Sequence, residues 1–164
     1  MKTLIVGLGN PVLGDDGVGW HIARQIEQQM PPDQFSDDSV AVECLSLGGL
    51  SLMEQLIGYD RAIIIDAINL GGNPVGKIYC FPLDELPNHA AGHMSSSHDT
   101  SLQNALAVGR SMEAQLPDQI TIVGIESPYV YDFSEELSPT VAAAVPEAVE
   151  VVMQVLLNNE CTIR

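Results

Sequence analysis

Short apolar runs rich in Val and Ile alternate along this chain with stretches of helical periodicity. Five such runs are predicted strands, namely 2–7, 39–47, 61–69, 76–81 and 119–127. Four stretches are predicted helices, namely 17–29, 51–57, 100–112 and 138–157. The third begins with "TSLQ" at 100–103, which fits a capping box, and Pro146 either kinks the fourth or starts a new helix. The resulting order, β-α-β-α-β-β-α-β-α, predicts an α/β fold: a three-layer α/β/α sandwich around a five-stranded, mostly parallel sheet. At 164 residues we expect one domain, 1–164, with the very apolar strand 61–69 at its centre.

The charge of the chain limits the classes of partner that it can bind. Six Lys and Arg residues stand against 22 Asp and Glu, which gives a formal net charge of −16. Nucleic acids and anionic membranes are poor partners for such a chain, because binding to phosphates depends on Lys and Arg. A metal cation or a protein with a basic face is favoured instead.

Cysteine use and hydropathy give expectations about redox state and location. Cys44, Cys80 and Cys161 are an odd number without C-x-x-C spacing, so we expect three reduced thiols, with Cys44 and Cys80 packed in the core. No uninterrupted apolar run approaches the roughly 18 residues of a membrane span, and no leader-peptide pattern follows the first strand. We expect a cytoplasmic protein, and a monomer by default.

The loop after the first strand, "GLGNPVLGDDGVG" at 7–19, resembles a phosphate-binding glycine loop but carries Asp15 and Asp16. Valine replaces the third glycine of a dinucleotide fingerprint, and the lysine of a P-loop is missing. The two carboxylates would also repel a phosphate. One alternative is that an aspartate caps the following helix; the other is that the loop presents a carboxylate to a cation, for which we favour Asp16, leaving Asp15 as the cap.

Two further side chains are expected near Asp16. Asp66 lies at the end of the predicted central strand, and His98 closes the long predicted loop that begins at 82, immediately before the third helix. The carboxyl ends of parallel strands share one edge of a sheet, where ligands usually bind. Two carboxylates and an imidazole at that edge predict a divalent metal site with open coordination positions. Asp16, Asp66 and His98 are therefore the candidate metal ligands and catalytic residues.

Each candidate has a structural alternative. Asp66 could form a turn at a strand end, and His98 could bond to backbone in its loop. His89 and His93 lie in the same loop and could replace it as ligands, whereas His21 on the first helix is expected at the surface. Glu126, at the end of the fifth strand, could line the site or be there only because strand ends are polar.

Three motifs, "GLGNPVLGDDGVG", "IIIDAI" and "SSHDTSL", resemble in order and interval the hydrogenase maturation endopeptidases. The resemblance implies an α/β/α sandwich with a mixed five-stranded sheet. It also implies an endopeptidase that removes the C-terminal extension of a nickel-iron hydrogenase large-subunit precursor after nickel insertion. Asp16, Asp66 and His98 match the family's metal-binding positions, although many relatives have Glu in place of Asp16. The implied metal is nickel supplied by the substrate.

Two other functions stay open at this point. "GLGNP" also begins peptidyl-tRNA hydrolases, but their Thr-Arg-His-Asn stretch is missing here and a charge of −16 suits tRNA badly. A non-catalytic nickel-binding or hydrogenase-binding maturation factor is the other alternative, and it would bind the precursor without changing its mass.

Overall fold

The computed structural model describes residues 1–30, 39–86, 101–128, 132–158 and 161. Five strands lie in these ranges: β1 Thr3–Leu8, β2 Val40–Leu45, β3 Arg61–Ile68, β4 Ile78–Pro82 and β5 Gln119–Glu126. The α-helices there are α1 Val18–Gln29, α2 Gly49–Gln55, α3 Leu102–Ser111 and α4 Pro139–Asn158. Short 3-10 turns occupy Gly14–Gly17 and Leu83–Glu85. The predicted order of elements is confirmed.

The strands form one mixed sheet in the order β2-β1-β3-β5-β4. The first four of these are parallel, and β4 pairs antiparallel with β5 at one edge. As predicted, β3 is central, and all of its residues are buried. The chain passes from β1 to β2 on one side of β1 and then returns to β3 on the other. The carboxyl ends of β1 and β3 therefore flank the point where the direction of winding reverses, which is where open α/β sheets bind ligands.

Each face of the sheet is covered by a pair of helices with its own apolar core. Alternate β3 residues Ile63 and Ile65 pack in a core with buried side chains of α1 and α4. Ala62 and Ile64, which alternate with them, pack with side chains of α2 and α3 on the opposite face. The period-two pattern of a strand covered on both faces thus produces the predicted three-layer sandwich.

Helix α1 starts unusually close to the sheet, which two glycines permit. A Cβ on Gly7 would overlap the carbonyl oxygen of Gly19, and a Cβ on Gly19 would overlap the carbonyl oxygens of Leu8 and Ile65. The glycines of the opening loop therefore serve close packing between α1 and the carboxyl ends of β1 and β3. Close packing alone therefore accounts for these glycines, without a bound phosphate.

Three local predictions need correction or completion. Helix α3 is capped by Ser101, whose Oγ accepts a hydrogen bond from Asn104 N at 3.3 Å, rather than by the predicted capping box beginning at Thr100. The Gln103 side chain of that predicted box instead donates to the carbonyl oxygen of Leu83 at 2.9 Å. Helix α4 continues through Pro146 without a break.

The prediction of three unpaired cysteines is wrong. Cys80 on β4 and Cys161 beyond α4 form a disulfide with a Cα separation of 5.4 Å. Cys44 remains a free thiol, and burial raises its pKa. The odd count misled the prediction because nothing in the local sequence shows that α4 returns the chain to β4, 81 residues earlier.

Helix α4 is, by length and composition alone, apolar enough to cross a membrane, with a mean hydropathy of 1.6. The sequence pattern did not identify α4 as a candidate span, because only uninterrupted apolar runs were considered, and Glu147 and Glu150 interrupt this one. In the structure, its Val141, Val149 and Val152 are buried in the core shared with α1 and the sheet. This packing is that of a core helix.

Candidate active site at the carboxyl ends of β1 and β3

Asp16 lies in the 3-10 turn between β1 and α1. Its Oδ2 accepts a hydrogen bond from the backbone N–H of Asn10 at 2.8 Å, which closes the loop on itself. The N-cap residues of the 3-10 turn and of α1 are Leu13 and Gly17, so Asp16 is the N-cap residue of neither. Gly9 has a φ of 130°, and a Cβ there would overlap the Asp16 carbonyl oxygen. The loop therefore fixes Asp16 in place through its backbone and its carboxylate.

Asp15 has a different structural role from its neighbour. Its Oδ1 accepts from Ser138 N at 2.7 Å, and its Oδ2 accepts from Ser138 Oγ at 2.8 Å. Ser138 directly precedes α4, and its carbonyl oxygen accepts the first helical bond, from Ala142 N. Asp15 is thus bound at the start of α4 and not, as predicted, at the start of α1.

Asp66 is fully buried within β3 rather than at its end. The strand continues to Ile68 beside β5, with Asp66 in register with Gly124. Pairing with β1, however, ends one residue earlier, at Gly7 and Ile65. Asp66 therefore lies where β1 and β3 separate, on the face of the sheet that α2 and α3 cover. A buried carboxylate must be paired or hydrogen-bonded, and one at the edge of a sheet where ligands bind favours a functional role.

The segments that carry the two aspartates lie next to each other. The 3-10 turn that includes Asp16 contacts β3, and Gly19, three residues after Asp16, lies against the Ile65 carbonyl oxygen, one residue before Asp66. The predicted proximity of the two acidic segments at one sheet edge is thus found in the structure. Ser46, which the sequence reasoning missed, joins this edge because its hydroxyl donates to the Gly9 carbonyl oxygen at 2.7 Å. The sequence could have indicated Ser46, because it is a polar residue directly after β2.

The third candidate, His98, lies outside the described residues, as do the alternative histidines His89 and His93. Within the described ranges, which exclude 87–100, no group of three His, Cys, Asp or Glu side chains is arranged to hold a metal. His21 is exposed on α1, as predicted. The helix that follows His98 in the chain is α3, which covers the same face of the sheet as Asp66.

Glu126 is buried at the end of β5, but its hydrogen bonds point to a structural role. Its carboxylate accepts from Leu70 N at 3.2 Å and from Gly71 N at 3.3 Å, which holds the connection from β3 to β4. Tyr79 lies nearby with a buried hydroxyl that makes no hydrogen bond of suitable geometry in the described part of the chain. Burial, with further contributions from Glu126, raises the pKa of Tyr79 to about 12.

A cavity of about 700 Å³ lies elsewhere on the molecule, between α3 and the beginning of β5. Its lining includes Gln103, Arg110 and Gln119–Thr121, but not Asp16, Asp66 or Glu126. Because β5 begins at the edge opposite to Asp66, this cavity is separate from the candidate site.

Comparisons with known proteins identify the family. Residues 20–155 match the HycI family model, described as hydrogenase maturation protease. The Hydrogenase 2 maturation protease of Escherichia coli K12 is 30% identical, covering 97% of this chain and 93% of that protein. The hydrogenase expression/formation protein HupD of Rhizobium leguminosarum bv. viciae is 28% identical, with 94% and 74% covered. The solved structure of the hydrogenase maturating endopeptidase HybD from E. coli has a TM-score of 0.75 and 28% identity, with 97% and 94% covered.

These relatives confirm the resemblance inferred from the three motifs and decide against the peptidyl-tRNA hydrolase alternative. The matched segment contains Asp66 and His98, and the E. coli protease also aligns over nearly the whole chain. The chain belongs to the hydrogenase maturation protease family and is an endopeptidase.

Proposed function

We propose that this enzyme removes the C-terminal extension from the large-subunit precursor of a nickel-iron hydrogenase after nickel insertion, and that Asp16, Asp66 and His98 contact the nickel of that precursor. The family and the name of the E. coli Hydrogenase 2 maturation protease support the class of substrate. The site rests on one observation: the turn that carries Asp16 contacts β3, whose pairing with β1 ends at Ile65, one residue before Asp66.

The chemistry of the three side chains suits this substrate. Carboxylate oxygens and an imidazole nitrogen are suitable ligands for divalent nickel, and three ligands leave coordination positions for groups of the precursor. The nickel belongs to the substrate, so its presence would mark a precursor that is ready for cleavage. A fixed position of Asp16, held by Asn10 N, would set the distance between the metal and the scissile bond.

Hydrolysis at this site adds one water to the scissile peptide bond. Either one of the two aspartates or the metal activates the water, which loses a proton as its oxygen bonds to the carbonyl carbon. The C–N bond then breaks, and the proton goes to the leaving amine. Polarisation of the carbonyl by the metal would help this addition.

The proposal includes action as a monomer in the cytoplasm. The net charge of −16 supports a protein partner with a basic surface rather than a nucleic acid or an anionic membrane. Disulfides are uncommon in that compartment, so alkylation of thiols before lysis, followed by mass analysis of Cys80 and Cys161, tests the location and the redox state together.

The experiment follows processing of nickel-loaded and nickel-free precursor by intact mass. Only the loaded form should lose its extension. Asp16→Asn, Asp66→Asn and His98→Ala should each slow processing at least about a hundredfold, because even the outer partners of metal ligands contribute 10–100-fold.

Matched controls separate chemistry from folding. Asp15→Asn changes the neighbouring carboxylate, and His21→Ala changes an exposed histidine. Both should process the precursor at a rate within about threefold of the unsubstituted enzyme when assayed in their folded state. Full activity in all three site variants would refute the site, and tight binding without a change in mass would favour a non-catalytic factor.

A further inference from the structure

An exposed aromatic side chain lies beside the loop that carries Asp16. Phe133 is 90% exposed, and Val12, in that loop, is 42% exposed. A large apolar side chain so fully in water contributes almost nothing to folding by burial. Aromatic residues in such positions are enriched among the anchors of protein–protein interfaces.

Backbone hydrogen bonds fix Phe133 beside Val12. Leu13 and Ser134 form a parallel β-bridge, with Ser134 N donating to Val12 O at 3.0 Å and Gly14 N donating to Ser134 O at 2.7 Å. Val12 and Phe133 each directly precede this bridge and so occupy matching positions. We call the two residues the Val12–Phe133 patch.

The patch is also tied to the candidate active site. Asp15, which neighbours Asp16, accepts two hydrogen bonds from Ser138, at the end of the segment that begins with Asp132. The patch and Asp16 are therefore parts of one anchored unit at the carboxyl edge of the sheet. Whatever binds the patch is held at a set position relative to Asp16.

The surroundings of the patch are acidic. Asp132, Glu135 and Glu136 are exposed on either side of Phe133 in the chain, and the sequence has no Lys or Arg between 111 and 163. An apolar contact with an acidic rim is complementary to a segment with an apolar side chain between Lys or Arg residues. A second copy of this chain, at −16, would bring like charges together and is disfavoured.

We propose that the Val12–Phe133 patch is a docking surface for a basic segment of the precursor that carries an exposed apolar side chain. This inference rests on the proposed function, because it assigns a contact surface to the same substrate. Docking here positions the precursor beside Asp16 and adds affinity without taking part in bond cleavage.

The test measures kcat and KM for processing of the nickel-loaded precursor. Phe133→Ala should raise KM about tenfold with kcat within about twofold, because it removes an anchoring contact that is present equally in ground and transition states. Glu135→Lys should raise KM about fivefold and weaken its dependence on salt concentration. Met112→Ala is the matched control, since Met112 is 75% exposed but lies after α3, away from the patch. The KM of this variant should equal that of the unsubstituted enzyme.

The outcomes separate this inference from the proposed function. If the unsubstituted enzyme does not cleave the loaded precursor, the proposed function fails. If it does cleave, and Phe133→Ala retains the original KM, the docking surface is wrong. Sedimentation provides a second check: a dimer that becomes a monomer on Phe133→Ala would show that the patch binds a second copy and would overturn the assignment to the precursor.

Discussion

The bond between Cys80 and Cys161 should contribute a large part of the free energy of unfolding. It joins the edge strand β4 to the segment after α4 across a sequence separation of 81 residues. A crosslink mainly restricts the unfolded chain, and the chain-entropy relation for a loop of this length gives about 4.5 kcal/mol. Measured values are commonly 2–4 kcal/mol, so we expect a loss of about 3–4.5 kcal/mol when the bond is removed.

Urea unfolding measures this contribution. With an m-value of about 2 kcal/mol/M, which is ordinary for a single domain, the midpoint should fall by about 1.5–2.3 M in Cys161→Ser. Cys161 is the better position to substitute, because Cys80 is only 1% exposed and its replacement would also disturb the core. Reduction of the unsubstituted protein by dithiothreitol should lower the midpoint similarly, because reduction breaks the link but keeps both side chains.

Cys44→Ser provides the matched control. Cys44 is a free thiol on β2, so its substitution should leave the effect of dithiothreitol intact. Alkylation in denaturant should modify one thiol of the oxidised protein and three after reduction. Equal urea midpoints for the oxidised protein, the reduced protein and Cys161→Ser would refute the reasoning, as would three alkylated thiols before reduction.

Two further predictions test specific side chains. Asp15→Asn keeps one acceptor for Ser138 but loses charge-assisted bonding, so urea unfolding should show that the free energy of unfolding falls by about 1.5–2 kcal/mol. In a Ser138→Ala background, the same substitution should have most of this effect removed. Full additivity of the two losses would contradict the contact. The pKa of Tyr79 is raised from 10 to about 12, so the contribution of its protonated hydroxyl to stability is present below about pH 10. This contribution, on the order of 2–3 kcal/mol, is lost as the pH rises towards 12. Tyr79→Phe should therefore have a thermal midpoint that falls less steeply over this range, and identical slopes would be the contrary result.

The sheet could be predicted because β1, β3 and β5 are largely buried, and buried strands need apolar runs that are visible in the sequence. All five predicted strands are confirmed, with bounds that differ by at most two residues. A parallel strand covered on both faces needs a continuous apolar run, as in β3, and such a run has few other interpretations. The position of Asp66 was less well predicted, because β3 continues beside β5 after its pairing with β1 has ended, and strand pairing is not a local property.

Contacts between distant parts of the chain escaped prediction for the same reason. Asp15 and Ser138 are 123 residues apart, and the two bonded cysteines are 81 apart. Each pair meets only because α4 packs beside α1 and returns across the sheet. Side-chain type and local spacing do not indicate such long-range contacts. For this reason Asp15 was assigned to the adjacent helix α1 and not to α4.

The division of roles between Asp15 and Asp16 follows from the geometry of the turn that holds them. A 3-10 turn has about three residues per turn, so adjacent side chains leave it about 120° apart. Two neighbouring carboxylates in such a turn cannot both be directed at one site. One of them, Asp15, binds the start of α4, and the other, Asp16, stays with the loop beside β3. The two neighbouring aspartates therefore combine a structural anchor with a candidate ligand, and the two asparagine variants should separate these roles. Asp15→Asn should lower stability with little change in the rate of processing. Asp16→Asn should slow processing with little change in stability.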